Sequence, residues 1–196
     1  MHFEEERIYH IYNRSVNSEA LFKEESDYYL FLKKFEDHVI GEVALISYCL
    51  MPTHFHFVFQ NLVSGSTLRQ SMQNFLVSYA KSINFKYQRH GSLFQHLTKS
   101  QVIDSDDDLE SVINYVHQNP VAAGLCATPG EWRFSSYNAV ISTGKTHIAR
   151  EEVLDWFGGL GRFIEFHEMN KNNHWVDGFH FNSRKLSRGR NAAIKI

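Results

Sequence analysis

The strongest constraint on the fold lies at residues 54–60, His-Phe-His-Phe-Val-Phe-Gln, where the residue types alternate with a period of two. Side chains alternate between the two faces of a β-strand, so the three phenylalanines share one face and His54 and His56 share the other. The phenylalanine face can be buried in a core. The histidine face presents two neutral imidazoles ~6–7 Å apart along the strand, which can converge on one divalent metal. This segment therefore predicts a strand with a buried side and with half of a metal site on its other side.

The spacing of apolar residues predicts an α+β fold in the order strand, helix, strand, strand, helix, strand. Strands are expected at residues 8–13, 43–50, 54–60 and 93–103. Helices are expected at residues 24–38 and after a cap at Ser66 or Thr67, where an apolar stripe runs to Ile83 and Gly91 breaks the pattern. The short link at Pro52-Thr53 favours an antiparallel hairpin. This is the order of the ferredoxin-like, split βαβ fold, with a mainly antiparallel sheet and two helices on one face. The other face is left open for a site or a further helix.

A third helix is predicted after the last strand, and it carries candidate catalytic groups. Asp104 or Ser105 caps this helix, which should end near Asn119 because Pro120 disfavours helical geometry in the residue before it. Tyr115 points ~110° away from the centre of the apolar stripe, and Asn119 lies one turn later, ~40° from Tyr115. A tyrosine and an amide oxygen thus share one flank of a helix that can cover the open face of the sheet.

Two imidazoles and the Asn119 oxygen would form a ligand set of two nitrogens and one oxygen. Such a set leaves coordination positions open, and it suits Mg²⁺ or Mn²⁺ better than a structural zinc ion, which normally has thiolates or a closed fourth ligand. Gln118 is adjacent to Asn119 but lies ~100° round the helix. It is therefore the less favoured ligand.

Five ordered segments resemble the REP-associated tyrosine transposases, relatives of the small single-strand transposases with one active tyrosine. His54-Phe55-His56 resembles their HUH motif, histidine–hydrophobe–histidine, and residues 115–120, Tyr-Val-His-Gln-Asn-Pro, resemble their catalytic-tyrosine helix. The other three segments resemble the first strand, the glycine-led final strand and the post-catalytic segment of the family, at residues 9–14, 91–95 and 132–137. Order and spacing agree across roughly residues 7–140. Insertion-sequence relatives usually have glutamine at the position of Asn119, whereas the REP-associated branch has asparagine.

The resemblance implies a metal-dependent endonuclease and transposase that cleaves and rejoins single-stranded DNA with hairpin-forming repeats. Tyr115 would be the nucleophile that forms a covalent 5′-phosphotyrosine, and His54, His56 and Asn119 would hold Mg²⁺ or Mn²⁺. Relatives differ in being monomers or homodimers with an exchanged helix, so the oligomeric state stays open. Two other interpretations also stay open. One is a domesticated, non-catalytic nucleic-acid-binding module, and the other is a related HUH nicking protein, although such proteins are usually larger.

Candidate DNA contacts fall into two groups. Asn13, Arg14 and Gln95 lie in segments that resemble the family. The second group lies in residues 184–196, which hold five basic residues and no acidic one, whereas the first 183 residues carry 15 basic and 22 acidic groups. This tail is typical of a flexible arm that contacts phosphates, although a solvated terminus is the alternative. Its candidate contacts are Arg184, Lys185, Arg188 and Arg190.

The length of 196 residues predicts one catalytic domain over residues 1–140 with a C-terminal helical extension over residues 141–183 and the tail at 184–196. Short helices are expected in the extension at residues 151–157 and 163–169. No apolar run of ~18 residues predicts a membrane helix, and the acidic start lacks the features of a secretory signal. Two cysteines without CxxC spacing indicate a reducing compartment. We therefore expect a cytoplasmic protein that acts on nucleoid DNA.

Overall fold

The computed structural model describes residues 1–171 and is built on a four-stranded antiparallel sheet. The strands lie in the order β2–β3–β1–β4, with bounds of Ile8–Arg14 for β1, Val43–Met51 for β2, His54–Asn61 for β3 and Lys99–Ile103 for β4. Strands β2 and β3 form the expected antiparallel hairpin. The sheet order is that of the ferredoxin-like fold, so the predicted fold class is confirmed.

Six α-helices accompany the sheet in the described residues. They are α1 Glu25–His38, α2 Gly65–Lys86, α3 Asp106–Ala122, α4 Tyr137–Ile141, α5 Arg150–Trp156 and α6 Leu160–Met169. Helices α5 and α6 correspond to the two short helices predicted in the C-terminal extension. No helix within residues 1–171 is long and apolar enough to cross a membrane.

The phenylalanine face of β3 packs against α1 and α2, as its alternation predicts. Phe55 and Phe57 are fully buried. Phe35 of α1 stacks on Phe57 with 4.2 Å between ring centroids, and Phe31 lies 5.1 Å from Phe55. Phe75 of α2 completes this aromatic core by contacting Phe31 at 4.7 Å. Because the phenylalanines are buried on this side, the two histidines of β3 lie on the opposite face of the sheet.

Helix α3 covers the other face of the sheet, where it packs against β2 and β3. Its apolar side chains Val112, Ile113 and Val116 are fully buried. The first turn holds three aspartates, and the Ser105 hydroxyl caps the helix by accepting a hydrogen bond from the Asp108 backbone N–H at 3.2 Å. The sheet face that was expected to be open for a site or a further helix is therefore covered by α3.

Three predicted boundaries were wrong. Helix α3 continues to Ala122 with the buried Pro120 inside it, although proline cannot donate a backbone hydrogen bond to the helix. Helix α2 is capped by Ser64 rather than by Ser66 or Thr67. Strand β4 begins at Lys99, since the segment before it is irregular and only Phe94 forms an isolated bridge, to Ser15.

Candidate metal and tyrosine site

Strand register brings four ring-bearing side chains together on the sheet face beneath α3. His56 on β3 pairs with Tyr12 on β1, and His54 pairs with Arg14. His10 lies two residues before Tyr12 on β1 and therefore shares the same face. We call the side chains of His10, Tyr12, His54 and His56 the histidine face. Sequence reasoning placed only His54 and His56 there.

Tyr115 of α3 lies directly against the histidine face. Its ring centroid is 5.4 Å from that of His56 and 6.0 Å from that of His10, with the ring planes nearly perpendicular in both pairs. The residue is nearly buried, at 9% exposure. The structure thus brings the predicted nucleophile together with one predicted ligand, although the two are 59 positions apart in sequence.

His56 is buried at 3% exposure and is hydrogen-bonded through one ring nitrogen. Its Nδ1 lies 2.9 Å from His10 Nε2. Its Nε2 is buried and has no hydrogen-bond partner among residues 1–171. Burial, and then the nearby His10, His54 and Arg14, hold the pKa of His56 well below its usual range, so the ring is neutral. A neutral imidazole with an unpaired nitrogen fits a divalent metal, which cannot bind the protonated ring.

His54 stands at the more open end of the pair. Its ring centroid is 5.2 Å from that of His56, and the planes meet at 88°. Its Nδ1 lies 3.2 Å from the hydroxyl of Thr53, and this partly buried hydrogen bond orients the ring. The two imidazoles are therefore adjacent, as their spacing on one strand predicts.

Asn119 and Gln118 use their amides in different directions. The Asn119 side-chain N–H donates to the Tyr115 backbone carbonyl at 2.8 Å, which holds the amide on the tyrosine flank of α3. The Gln118 amide donates at 2.8 Å to the backbone carbonyl of His167 on α6. Gln118 therefore faces α6, and Asn119 remains the better candidate ligand.

No cluster of three or more His, Cys, Asp or Glu side chains able to hold a metal occurs in residues 1–171. The predicted ligand set has only two such residues, His54 and His56, and its third member, Asn119, is an amide. The set therefore depends on a neutral oxygen and on ligands from outside the chain to complete a coordination shell.

The predicted DNA contacts separate into exposed and buried groups. Arg14 is exposed at the end of β1 that carries the histidine face, and Gln95 is exposed beside it, with its backbone N–H bonded to the Arg14 carbonyl at 2.9 Å. Asn13 is only 5% exposed. Its side chain donates to Thr98 at 2.9 Å and accepts from the Arg14 N–H at 2.7 Å. The Asn13 amide therefore holds the 95–98 segment to β1, and a DNA contact by Asn13 stays a prediction. Arg184, Lys185, Arg188 and Arg190 lie outside the described residues.

A second histidine cluster lies on the opposite flank of α3 and was not predicted. His167 Nδ1 donates to the Phe163 carbonyl at 2.8 Å, so its Nε2 accepts from His117 Nδ1 at 3.0 Å. His117 Nε2 then accepts from the Ser136 hydroxyl at 2.7 Å. All three side chains are at most 1% exposed. The contacts resemble a serine triad, but a fully buried hydroxyl cannot reach a substrate, so the cluster fastens α3 to α6 and to the sheet.

The described chain has the fold of a solved transposase. It is similar to the structure of a REP-associated tyrosine transposase bound to a REP hairpin, with a TM-score of 0.59 and 14% identity. The similarity covers 74% of this chain and 84% of that chain. At this level of identity the likeness establishes a shared fold. No family model matches the sequence, and no curated protein matches it.

Proposed function

We propose that this protein is a metal-dependent transposase and endonuclease that cleaves and rejoins single-stranded, hairpin-forming repeat DNA through Tyr115. The observation that carries the proposal is the contact between Tyr115 and His56, whose Nε2 is buried with no hydrogen-bond partner in residues 1–171. A tyrosine beside a nitrogen that can bind a metal suits metal-assisted cleavage of a phosphodiester by a tyrosine nucleophile. The shared fold with a transposase bound to a REP hairpin gives independent support.

The metal would be Mg²⁺ or Mn²⁺, held by His54, His56 and Asn119. When bound, such an ion supplies positive charge that polarises the scissile phosphate and stabilises the transition state. Burial keeps His56 neutral and ready to bind it at physiological pH.

Tyr115 would perform the covalent step with its hydroxyl oxygen. Attack on phosphorus forms the tyrosine–phosphate bond and breaks the bond to the 3′ oxygen, which takes a proton and leaves as a 3′-OH. The phosphodiester energy is retained in the 5′-phosphotyrosine, so attack by another 3′-OH can rejoin the strand and restore the tyrosine without ATP. The exposed Arg14 beside His54 would bind a neighbouring phosphate.

The site would be completed within one chain. Tyr115 lies against His10 and His56 of its own chain, so no exchange of α3 with a second copy is needed to bring nucleophile and ligands together. We propose that the protein acts with each site built from a single chain, on nucleoid DNA in the cytoplasm.

Cleavage of labelled stem–loop DNA tests the proposal. The probe is a pool of stem–loop oligonucleotides with randomised single-stranded flanks, labelled at the 3′ end and incubated with the full chain and Mn²⁺. We expect an SDS-stable protein–DNA adduct that carries the 3′ label, because the 5′ phosphate of the 3′ fragment becomes joined to Tyr115. The same strands labelled at the 5′ end should leave the protein unlabelled.

Variants assign the adduct to the proposed residues. Tyr115→Phe and removal of the metal with EDTA should each abolish the adduct while stem–loop binding persists. Tyr29→Phe is the matched control, since Tyr29 is a half-exposed tyrosine on α1, which packs on the other face of the sheet. An adduct of undiminished yield with Tyr115→Phe would contradict the proposal. Stem–loop binding by the wild-type chain without any adduct would favour a non-catalytic binding module.

A further inference from the structure

His10 is the closest polar neighbour that the structure gives His56, and the proposed reaction assigns it no role. It is 2% exposed, and its ring stacks on that of His56 with 5.1 Å between centroids and 17° between planes. The rings meet through His10 Nε2 and His56 Nδ1 at 2.9 Å. Two buried imidazoles in direct hydrogen bond therefore lie beneath Tyr115.

The hydrogen bond between the rings requires one proton, so one ring must donate and the other accept. Both rings are buried, at 2% and 3% exposure, and burial favours the uncharged form of an imidazole. If His10 donated, His56 would carry its own proton on Nε2, where no acceptor lies within residues 1–171. A buried N–H without an acceptor is destabilising. If His56 donates from Nδ1, its Nε2 keeps a lone pair instead.

We propose that His10 is a positioning residue that fixes the tautomer of His56. By accepting the Nδ1 proton, His10 leaves the Nε2 lone pair of His56 free for a divalent metal and holds the ring in one orientation. The inference rests on the proposed function, since it names how one ligand of that site is prepared. Partners that hold the second nitrogen of a ligating histidine typically change metal affinity 10–100-fold when removed.

The tautomer can be measured in the wild-type chain without metal or DNA. Nitrogen-15 NMR of the histidine rings distinguishes a protonated from an unprotonated ring nitrogen. We expect His56 to be protonated on Nδ1 and bare on Nε2, and His10 to be bare on Nε2. Protonation of His56 on Nε2 would overturn the inference, whatever the protein does with DNA.

Mn²⁺ binding by full-length variants gives the second readout, by calorimetry or electron paramagnetic resonance. His10→Phe keeps a ring in the stack but has no acceptor, so we expect Mn²⁺ affinity to fall 10–100-fold. His10→Gln places an amide oxygen near the former Nε2, so it should recover most of that loss. His90→Phe, at an exposed histidine, is the matched control and should leave the affinity unchanged.

The outcomes separate the two proposals. Equal Mn²⁺ affinity in the wild type and in His10→Phe would overturn the role of His10 and leave the transposase proposal intact. Equal losses in His10→Phe and His10→Gln would also overturn it, because the hydrogen-bond acceptor would then be irrelevant. A wild-type chain that shows the expected tautomer and binds Mn²⁺, but forms no DNA adduct, would contradict the proposed function alone.

Discussion

Gln118 and Asn119 show how a one-residue step on α3 separates the candidate metal site from the scaffold. The Gln118 amide is buried and bonded to the His167 carbonyl, whereas Asn119 is partly exposed on the flank of Tyr115. The two side chains point ~100° apart round the helix. Their substitution should therefore affect different properties of the protein.

We expect Asn119→Ala to lower Mn²⁺ affinity at least about tenfold, since it removes a proposed ligand, and to change the free energy of unfolding by less than about 1 kcal/mol. Gln118→Ala should show the opposite pattern, with nearly unchanged Mn²⁺ affinity and a loss of about 1–3 kcal/mol from the buried hydrogen bond. Mn²⁺ titration and urea unfolding of both variants measure the two effects. Loss of Mn²⁺ affinity in Gln118→Ala alone would transfer the ligand role to Gln118.

Single residues also mark the limit of what the sequence could predict. The period of two at residues 54–60 was enough to place His54 and His56 on one face, and helical angles were enough to place Tyr115 on a flank. The contact of His56 with His10 depends on the register between β3 and β1, which joins residues 46 positions apart. The alternation of His10 with Tyr12 could have placed His10 on that face. No local pattern could have shown that its ring lies within hydrogen-bond distance of His56.

At the scale of whole elements, the buried histidine cluster fastens α6 to the helix that carries Tyr115. His117 lies on α3 and His167 on α6, and they meet 50 positions apart through a 3.0 Å hydrogen bond. The sequence predicts both helices but not their packing against each other, because the apolar pattern of each helix does not indicate which side of α3 contacts α6.

This docking predicts that stability falls in acid. Burial lowers the pKa of His167 to about 4, below the value of about 6.5 for an unfolded chain. Between these values the unfolded chain binds a proton that the folded chain does not, so folding stability decreases as the pH falls from 6.5 to 4. From His167 alone, the expected loss at pH 5 relative to pH 7.5 is about 2 kcal/mol.

Urea unfolding at pH 7.5 and pH 5 measures the contribution of His167. The variant His167→Gln removes the titrating group, so its free energy of unfolding should depend less on pH than that of the wild type by about 2 kcal/mol over this interval. His90→Gln, at an exposed histidine, should keep the wild-type dependence. Identical pH dependence in His167→Gln and the wild type would show that His167 is not held neutral by burial.

At the scale of the whole molecule, the basic tail predicts a specific salt dependence of DNA binding. Residues 184–196 lie outside the described residues and hold five basic groups. Each phosphate contact made by a cation adds about −0.7 to the slope of log affinity against log salt for single-stranded DNA. Replacing all five with glutamine should therefore reduce the magnitude of the slope by up to about 3.5, measured by fluorescence anisotropy of a labelled stem–loop from low to moderate NaCl. An unchanged slope would mean that the tail makes no phosphate contacts.

The central claim is that Tyr115 becomes covalently joined to DNA, and peptide mapping of the adduct tests it most directly. Trypsin releases residues 100–133 as one peptide, since cleavage sites follow Lys99 and Arg133 and none lies between them, and Tyr115 is its sole tyrosine. After nuclease trimming of the bound strand, we predict that this peptide carries the mass of a 5′-phosphorylated nucleotide. A nucleotide found on the peptide of residues 8–14, which contains Tyr12, or on any other peptide would contradict the account.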